Sequence, residues 1–235
     1  MSYNLITYCS KNYWPRLAKT LSSWSSQSSV QNIYVYTDFE ALDHDKIKYK
    51  NIFEPSENFG TNCARKVLAI QNFLRSNFDN ALFLDVDCLI IKDLNSLFNE
   101  SFDAAVTVYE EVKEKHRTKN ISSGFVAFKN TMNTGKIIDL WADIQNNYGE
   151  ESPCRDQKSL SEAITEMKNN TKANIKLLSS NEWNSHPFSG NTGYIKEWLK
   201  RIERYHPYIL HFASGSINDQ ITIDKAIEAA NVQKI

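Results

Sequence analysis

The chain has 235 residues, 41% hydrophobic and 12% aromatic, with a formal net charge of −1 at pH 7. That length suits one domain, and the apolar content supplies a full core, which argues against intrinsic disorder. The near-neutral balance offers no global attraction to nucleic acid or to an anionic membrane surface.

Residues 4–8 (NLITY) predict a first strand, and Pro15 then opens a helix with Leu17, Leu21 and Trp24 on one face. Residues 32–37 (NIYVYT), rich in β-branched and aromatic side chains, predict a second strand, and residues 46–53 a weaker third. Asn62 is placed to cap a helix whose inner face carries Val67, Leu68, Gln71 and Leu74. Residues 81–85 (ALFLD) are almost wholly apolar, as a central strand buried on both faces requires. Up to residue 90 the pattern is therefore β-α-β-β-α-β, a mostly parallel sheet with helices on its faces.

Residues 102–109 and 123–128 are strand-like. Residues 136–148 predict a helix with Ile137, Ile138, Trp141 and Ile144 inward and Gly149 as its terminator. Ser152 and Pro153 open another, carrying Leu160, Ala163, Ile164 and Met167. A strand at 175–178, a loop through Trp183 and a last strand at 208–212 follow. No repeat, low-complexity tract or linker divides the chain, so the expected fold is a single α/β domain.

Cys9, Cys63, Cys88 and Cys154 form no C-x-x-C pair. That argues for free thiols in a reducing compartment rather than a zinc site or a disulfide framework. The N-terminal stretch lacks the basic start and apolar run of a signal peptide. The longest apolar stretch, ALFLDVDCLII, is interrupted by two aspartates and is too short to cross a bilayer. The expectation is a cytoplasmic protein with no transmembrane segment, in which the N-glycosylation patterns at Asn99, Asn120 and Asn169 carry no meaning.

The informative motif is Asp85-Val86-Asp87, two carboxylates directly after the buried strand. Ligands of open α/β sheets gather at the carboxyl ends of strands. On strand geometry the two side chains point to one face, and a divalent cation offsets their repulsion. Hard oxygen ligands suit Mg²⁺ or Mn²⁺. The ordinary alternative, a pair of solvated turn aspartates, is disfavoured by the buried strand in front and Leu89-Ile90-Ile91 behind. In phosphatases of the haloacid-dehalogenase type the first Asp of such a pair is a nucleophile, but that strand usually opens the domain. Here strand-helix units come first, and no later acidic pair stands out.

A series of short matches spans most of the chain. They are Ile6-Thr7-Tyr8, Tyr13, Tyr34-Val35-Tyr36-Thr37-Asp38, Lys66, Leu84-Asp85-Val86-Asp87, Ser122-Ser123-Gly124-Phe125, Asp156-Gln157, Trp183-Asn184 and Leu210-His211-Phe212-Ala213-Ser214-Gly215. In that order they resemble the glycosyltransferases of the GT-A fold, especially those similar to family 8. The resemblance implies a nucleotide-binding half over residues 1–93 and an acceptor-binding half over residues 94–235. It implies sugar transfer from a nucleoside-diphosphate donor, by default a UDP-hexose, to a glycan or other hydroxyl acceptor. Mn²⁺ or Mg²⁺ held by Asp85, Asp87 and His211 would stabilise the leaving diphosphate against an oxocarbenium-like transition state.

The resemblance also assigns roles. Thr7 and Tyr8 would meet the base through backbone groups, Tyr13 would stack on it, and Asp38 would accept from base or ribose. Arg65 or Lys66 would pair with phosphate. Val86 lies between the two metal carboxylates, and Ser123-Gly124 would let the backbone approach the donor sugar. Asp156 would position that sugar or serve as a base toward the acceptor hydroxyl, and Gln157 would face the anomeric carbon. Trp183, with Asn184 and His186 beside it, would be the acceptor platform. Plainer roles compete for several of these: Asp156 complements a helix dipole, while Tyr13, Trp183 and His211 are ordinary core candidates. The family's Lys-Pro-Trp segment after Gly215, whose lysine meets the diphosphate, is missing. Ser216, Asn218 and Lys225 are the candidate substitutes. A nucleotidyltransferase would want a Gly-rich basic loop where Ser10-Lys11-Asn12-Tyr13 stands, and a non-catalytic nucleotide-sugar or carbohydrate-binding module also remains open. No spacing separates retention from inversion.

Overall fold

A computed structural model describes residues 1–56, 58–77, 79–109, 121–149, 152, 155–187, 192–212 and 220–231. Strand β1 (Tyr3–Cys9) is buried along its whole length. It lies between β2 (Val30–Thr37) and β4 (Ala81–Leu84), parallel to both. The full sheet has seven strands in the order β3-β2-β1-β4-β7-β6-β8. Strand β3 (Ile47–Asn51) forms one edge, half exposed and carrying Lys48 and Lys50, the kind of charged edge that resists pairing with another chain. At the other side, β7 (Ile121–Phe128) runs antiparallel to both β4 and β6 (Ala104–Val108), and β8 (Ile175–Ser179) closes the sheet parallel to β6. The sheet is therefore mostly parallel, with one reversed strand near its middle.

Consecutive strand residues point to opposite faces, and both faces are covered. Ile6 and Phe83 join one core cluster, with Val67, Ile70, Phe73, Trp141, Leu160 and Ile164. These come from α2 (Phe59–Ser76), α4 (Met132–Asn146) and α5 (Arg155–Asn170). Leu5 and Leu82 join the other, with Leu17, Trp24 and Phe98 from α1 (Trp14–Ser25) and α3 (Asn95–Asn99). A third, smaller cluster gathers Leu89, Trp198, Leu210, Phe212 and Ala226. It joins the ribbon of β5 (Cys88–Ile90) and β9 (Ile209–His211) to α7 (Thr192–Tyr205) and α8 (Gln220–Asn231).

Several boundaries differ from the sequence expectation. Helix α2 is capped by Asn58, whose side chain accepts from Thr61 N at 3.0 Å, one turn before Asn62. The buried stripe of this helix is Cys63, Val67, Ile70 and Phe73, at i, i+4, i+7 and i+10, and Leu68 lies off it, 43% exposed. Helix α4 likewise starts early, because Thr131 caps it by accepting from Thr134 N at 3.2 Å, and it ends on Asn147 rather than Gly149. Trp183 ends a short helix, α6 (Ser180–Trp183), instead of lying in a loop. Pro153 and Cys154 lie outside the described residues. Elements α3, β5, α7 and α8 have no counterpart in the expectation. Among the described residues, no helix is long and apolar enough to cross a membrane.

Candidate active site

Strand β4 stops at Leu84, and the chain turns through Asp85, Val86 and Asp87 before β5 begins, so the two aspartates occupy a turn rather than a strand. Cys88 N donates to Asp85 O at 3.1 Å to close that turn. Helix α1 clamps it from below. Thr20 Oγ1 donates to Val86 O at 2.9 Å, and Trp24 Nε1 donates to Cys88 O at 2.7 Å. From the far end of the chain, β9 pairs Cys88 with His211, and Phe212 N donates to Asp87 O at 2.9 Å. Strand geometry is therefore not what brings the carboxylates together. A clamped turn and an antiparallel ribbon do so.

The result is convergence on one imidazole nitrogen. His211 Nε2 lies 3.3 Å from Asp87 Oδ1 and 3.8 Å from Asp85 Oδ2. Gly124, midway along the reversed strand, backs this group so closely that a Cβ there would stand 2.6 Å from His211 Cε1 and 2.9 Å from Asp85 Oδ2. Two carboxylates and an imidazole nitrogen facing one point form a donor set that a divalent cation fits. Asp87, Cys88 and His211 also offer ligand atoms within 4.8 Å of one another. Burial pushes the Cys88 thiol up to about 11, so at neutral pH the sulfur is the weakest donor of the group. Burial opposes charge on both Asp87 and His211, yet their mutual attraction helps hold the Asp87 pKa below its usual value. The His211 pKa stays well above the histidine range, Cys88 and Asp87 both favouring its charged form. Without a metal, a proton on His211 balances Asp87.

Lys66, on α2, links this group to the next. Its Nζ lies 2.8 Å from Asp85 Oδ1 and 3.1 Å from Asp156 Oδ2. Asp156, in the first turn of α5, also accepts from Ser123 Oγ at 2.7 Å. Burial, the largest single influence, raises the Asp156 pKa, but Lys66 and the hydrogen bonds from Ser123, Lys66 and the Gln157 backbone bring it below the usual value. The carboxylate is thus ionised and buried, held in place by partners on three elements.

These side chains line a cleft of about 470 Å³. Of the residues expected at the site, Tyr8, Tyr13, Lys66, Asp85, Val86, Asp87, Ser123, Gly124, Asp156, Gln157 and His211 all border it. Thr7, Asp38, Trp183 and Asn184 do not. Thr7 is fully buried. Asp38 sits behind the wall, where its Oδ1 accepts from Lys11 N at 2.9 Å and its Oδ2 pairs with Arg65 at 3.4 Å. Arg65 is occupied there too, donating to Tyr8 Oη at 2.9 Å and to the Glu54 carbonyl. Trp183 stacks on Tyr208 with ring centroids 4.3 Å apart and planes at 7°, which is core packing rather than an open platform. Asn184 is buried and donates to Ser122 Oγ at 3.3 Å. Of the candidate diphosphate residues, Ser216 and Asn218 lie outside the described residues, and Lys225 is exposed on α8.

The cleft also has walls to which sequence reasoning gave no site role: Ser10, Arg16, Asn62, Cys63, Tyr109 and Ser122. The position of Arg16, three residues past Tyr13 on a helix that runs along the Asp-x-Asp turn, was the available signal. His186 faces the cleft with its ring edge against Tyr109, the centroids 4.9 Å apart. Burial and the nearby His211 hold it neutral, with a pKa lowered to about 4.

Residues 17–220 match the family model described as nucleotide-diphospho-sugar transferase. No curated protein sequence matches the chain. Among solved structures it is similar to the apo-form glycosyltransferase GlyE of Streptococcus pneumoniae TIGR4, with a TM-score of 0.64 and 14% identity over 99% of this chain and 61% of that one. It is similar to the galactosyltransferase LgtC in complex with donor and acceptor sugar analogs, with a TM-score of 0.61 and 12% identity over 99% of this chain and 97% of that one. A glycosyltransferase involved in glycosylation of the major capsid of PBCV-1 is also similar, with a TM-score of 0.60 and 11% identity over 97% of this chain and 99% of that one. At such identities the structural likeness establishes the GT-A fold, and the family match establishes the lineage. The phosphatase alternative falls away, since the Asp-x-Asp strand is the fourth in the chain and the family model is a transferase. By a match that runs over most of its length, the chain belongs to the nucleotide-diphospho-sugar transferase family.

Proposed function

We propose that this glycosyltransferase moves a hexose from a UDP-hexose to a hydroxyl of a glycan or other acceptor, using Mn²⁺ or Mg²⁺ held by Asp85, Asp87 and His211. The observation that carries this reading is the convergence of both carboxylates on His211 Nε2, at 3.8 and 3.3 Å, on the wall of a cleft that also contains Lys66 and Asp156. A divalent ion bound there supplies Lewis-acid stabilisation of the leaving diphosphate. The protein's own groups do the rest. Tyr13 offers its ring to the base, and Ser123 and Gly124 bring the backbone close to the donor sugar. Asp156, ionised and buried, accepts from donor hydroxyls and places negative charge beside the carbon that becomes oxocarbenium-like. A carboxylate whose pKa is held low is a poor base at neutral pH, so positioning fits Asp156 better than proton abstraction. Gln157 borders the same space, and an amide there stabilises by hydrogen bonding rather than by nucleophilic attack. Tyr109 and His186 form an aromatic edge suited to an acceptor sugar, in place of Trp183. Free, buried Cys9, Cys63 and Cys88 fit a reducing, cytoplasmic setting.

The test is a thermal-shift measurement with UDP, with and without Mn²⁺, on the wild type and Asp87→Ala. A ligand that binds only the folded state raises the melting temperature as RT ln(1 + [L]/Kd). UDP with Mn²⁺ should raise it in the wild type by several degrees, and UDP alone by much less. Asp87→Ala should fold and lose the metal-dependent part. A metal-dependent shift that survives in Asp87→Ala would sink the assignment of the site.

A further inference from the structure

The cleft holds three carboxylates, Asp85, Asp87 and Asp156, against two permanently cationic side chains, Lys66 and Arg16. A divalent ion on Asp85 and Asp87, taking the place of the His211 proton, would leave the cleft with one net positive charge. Without Arg16 the metal-loaded cleft would sum to zero, and attraction for a diphosphate would fall to the ion itself.

The cations near the cleft differ in how far they are already committed. Lys66 is gripped by two carboxylates at 2.8 and 3.1 Å. Arg65 is spent behind the wall on Tyr8, Asp38, Asn62 and the Glu54 carbonyl. Among the described residues Arg16 pairs with one carboxylate, Asp87 Oδ2, at 3.7 Å, longer than a hydrogen bond. Its guanidinium lies over the Tyr13 ring, 4.8 Å from the centroid, and its side chain is 25% exposed toward the cleft. Contact with the Tyr13 ring holds the guanidinium at the cleft wall.

We propose that Arg16 is the diphosphate-binding cation of this enzyme, an inference that rests on the donor-site reading above. Once a divalent ion is on Asp87, that ion and Arg16 repel each other, and the guanidinium needs a different anion. The diphosphate bound to the same ion lies within its reach and matches its paired N–H groups. Arg16 donates to phosphate oxygens there and stabilises the charge that builds on them as the glycosidic bond breaks. It fills on α1 the role for which residues after Gly215 were the sequence candidates.

The experiment is calorimetric titration of UDP and of UMP, in saturating Mn²⁺, into the wild type, Arg16→Gln and Arg16→Lys, with Mn²⁺ alone titrated as well. A lost charge-assisted hydrogen bond corresponds to about tenfold or more in affinity. Arg16→Gln should weaken UDP by about tenfold or more and UMP by less than about threefold, since UMP lacks the second phosphate. Arg16→Lys should recover part of the UDP affinity. Equal loss for UDP and UMP, or no loss, overturns the proposal. So does weaker binding of Mn²⁺ alone in Arg16→Gln that accounts for the whole UDP effect, because Arg16 would then act through Asp87. A wild type that binds neither nucleotide overturns the donor-site reading, and this proposal with it. A shared loss of UDP and UMP confined to the variants overturns this proposal only.

Discussion

At the scale of single residues, the site depends on one missing side chain. Gly124 lets His211 and Asp85 close on each other, and a methyl group there would stand inside the contact distance of both. Gly124→Ala should therefore leave the sheet folded while pushing His211 or Asp85 aside. The Mn²⁺-dependent rise in melting temperature should shrink by most of its size, as thermal denaturation with and without Mn²⁺ would show. An unchanged metal response would mean that the imidazole is not a ligand. The placing of Asp85 and Asp87 in the cleft was legible in the sequence because an acidic pair after an apolar run is a local signal, whereas Lys66 came from the resemblance alone. Trp183 was not legible, since an aromatic on a sugar platform and one stacked in the core look alike until the partner, Tyr208, is seen. Arg16 went unnoticed for the opposite reason: an arginine in the first turn of a helix reads as a solvated charge until Asp87 is placed beside it.

At the scale of elements, the alternation of strand and helix up to β4 was readable because β1, β2 and β4 are rich in apolar, β-branched and aromatic residues and each helix carries one apolar stripe, while β3, with Lys48 and Lys50, was the weakest signal. The helix starts were misread where an earlier cap existed, at Asn58 and Thr131, since several Asn and Thr residues compete for that role in sequence. Helix α7 did carry a signal, Ile195, Trp198, Leu199 and Ile202 at helical spacing within a charged stretch. Strand β5, three residues long, had none, because its identity comes from pairing with β9. Asp103 shows how elements are tied. It accepts from Thr131 Oγ1 at 2.6 Å, Asn133 Nδ2 at 3.0 Å and Asn174 N at 2.7 Å, joining the start of β6 to the first turn of α4 and the approach to β8. Burial raises its pKa, but those three donors bring it below the ordinary 3.8. A folded pKa below the unfolded one means that the contribution is complete above the unfolded value and drains away as pH falls through the folded one. Asp103→Asn should cost about 1–3 kcal/mol at pH 7, with a smaller gap from the wild type at pH 3. Urea unfolding at both pH values measures this, and a gap that widens on acidification would contradict the sign.

At the scale of the whole molecule, α7, α8 and β9 close a small core on Leu89 of β5, and β9 also brings His211 to the cleft. Trp198 is fully buried, edge-on to Phe212 with centroids 5.4 Å apart. Its Nε1 donates to Ser185 Oγ at 3.0 Å, and Ser185 O accepts from His211 N at 2.8 Å. Trp198→Ala should cost about 3–5 kcal/mol. It should also lower Mn²⁺ affinity, which calorimetry would detect as a loss beyond that of an equally destabilising change in the α4–α5 region. The ribbon that delivers His211 has a further consequence. The register of β5 on β9 covers three residue pairs, Cys88 with His211, Leu89 with Leu210, and Ile90 with Ile209, flanked by the hydrogen bonds Phe212 N to Asp87 O and Ile91 N to Tyr208 O. So short a ladder is open to slippage during folding, and a slip of one residue turns every side chain to the opposite face. His211 would then face the small core and Leu210 the aspartates, an arrangement that offers an ion no third ligand. A divalent ion held by Asp85, Asp87 and His211, as proposed above, would bind the native register alone and so favour it over the slipped one.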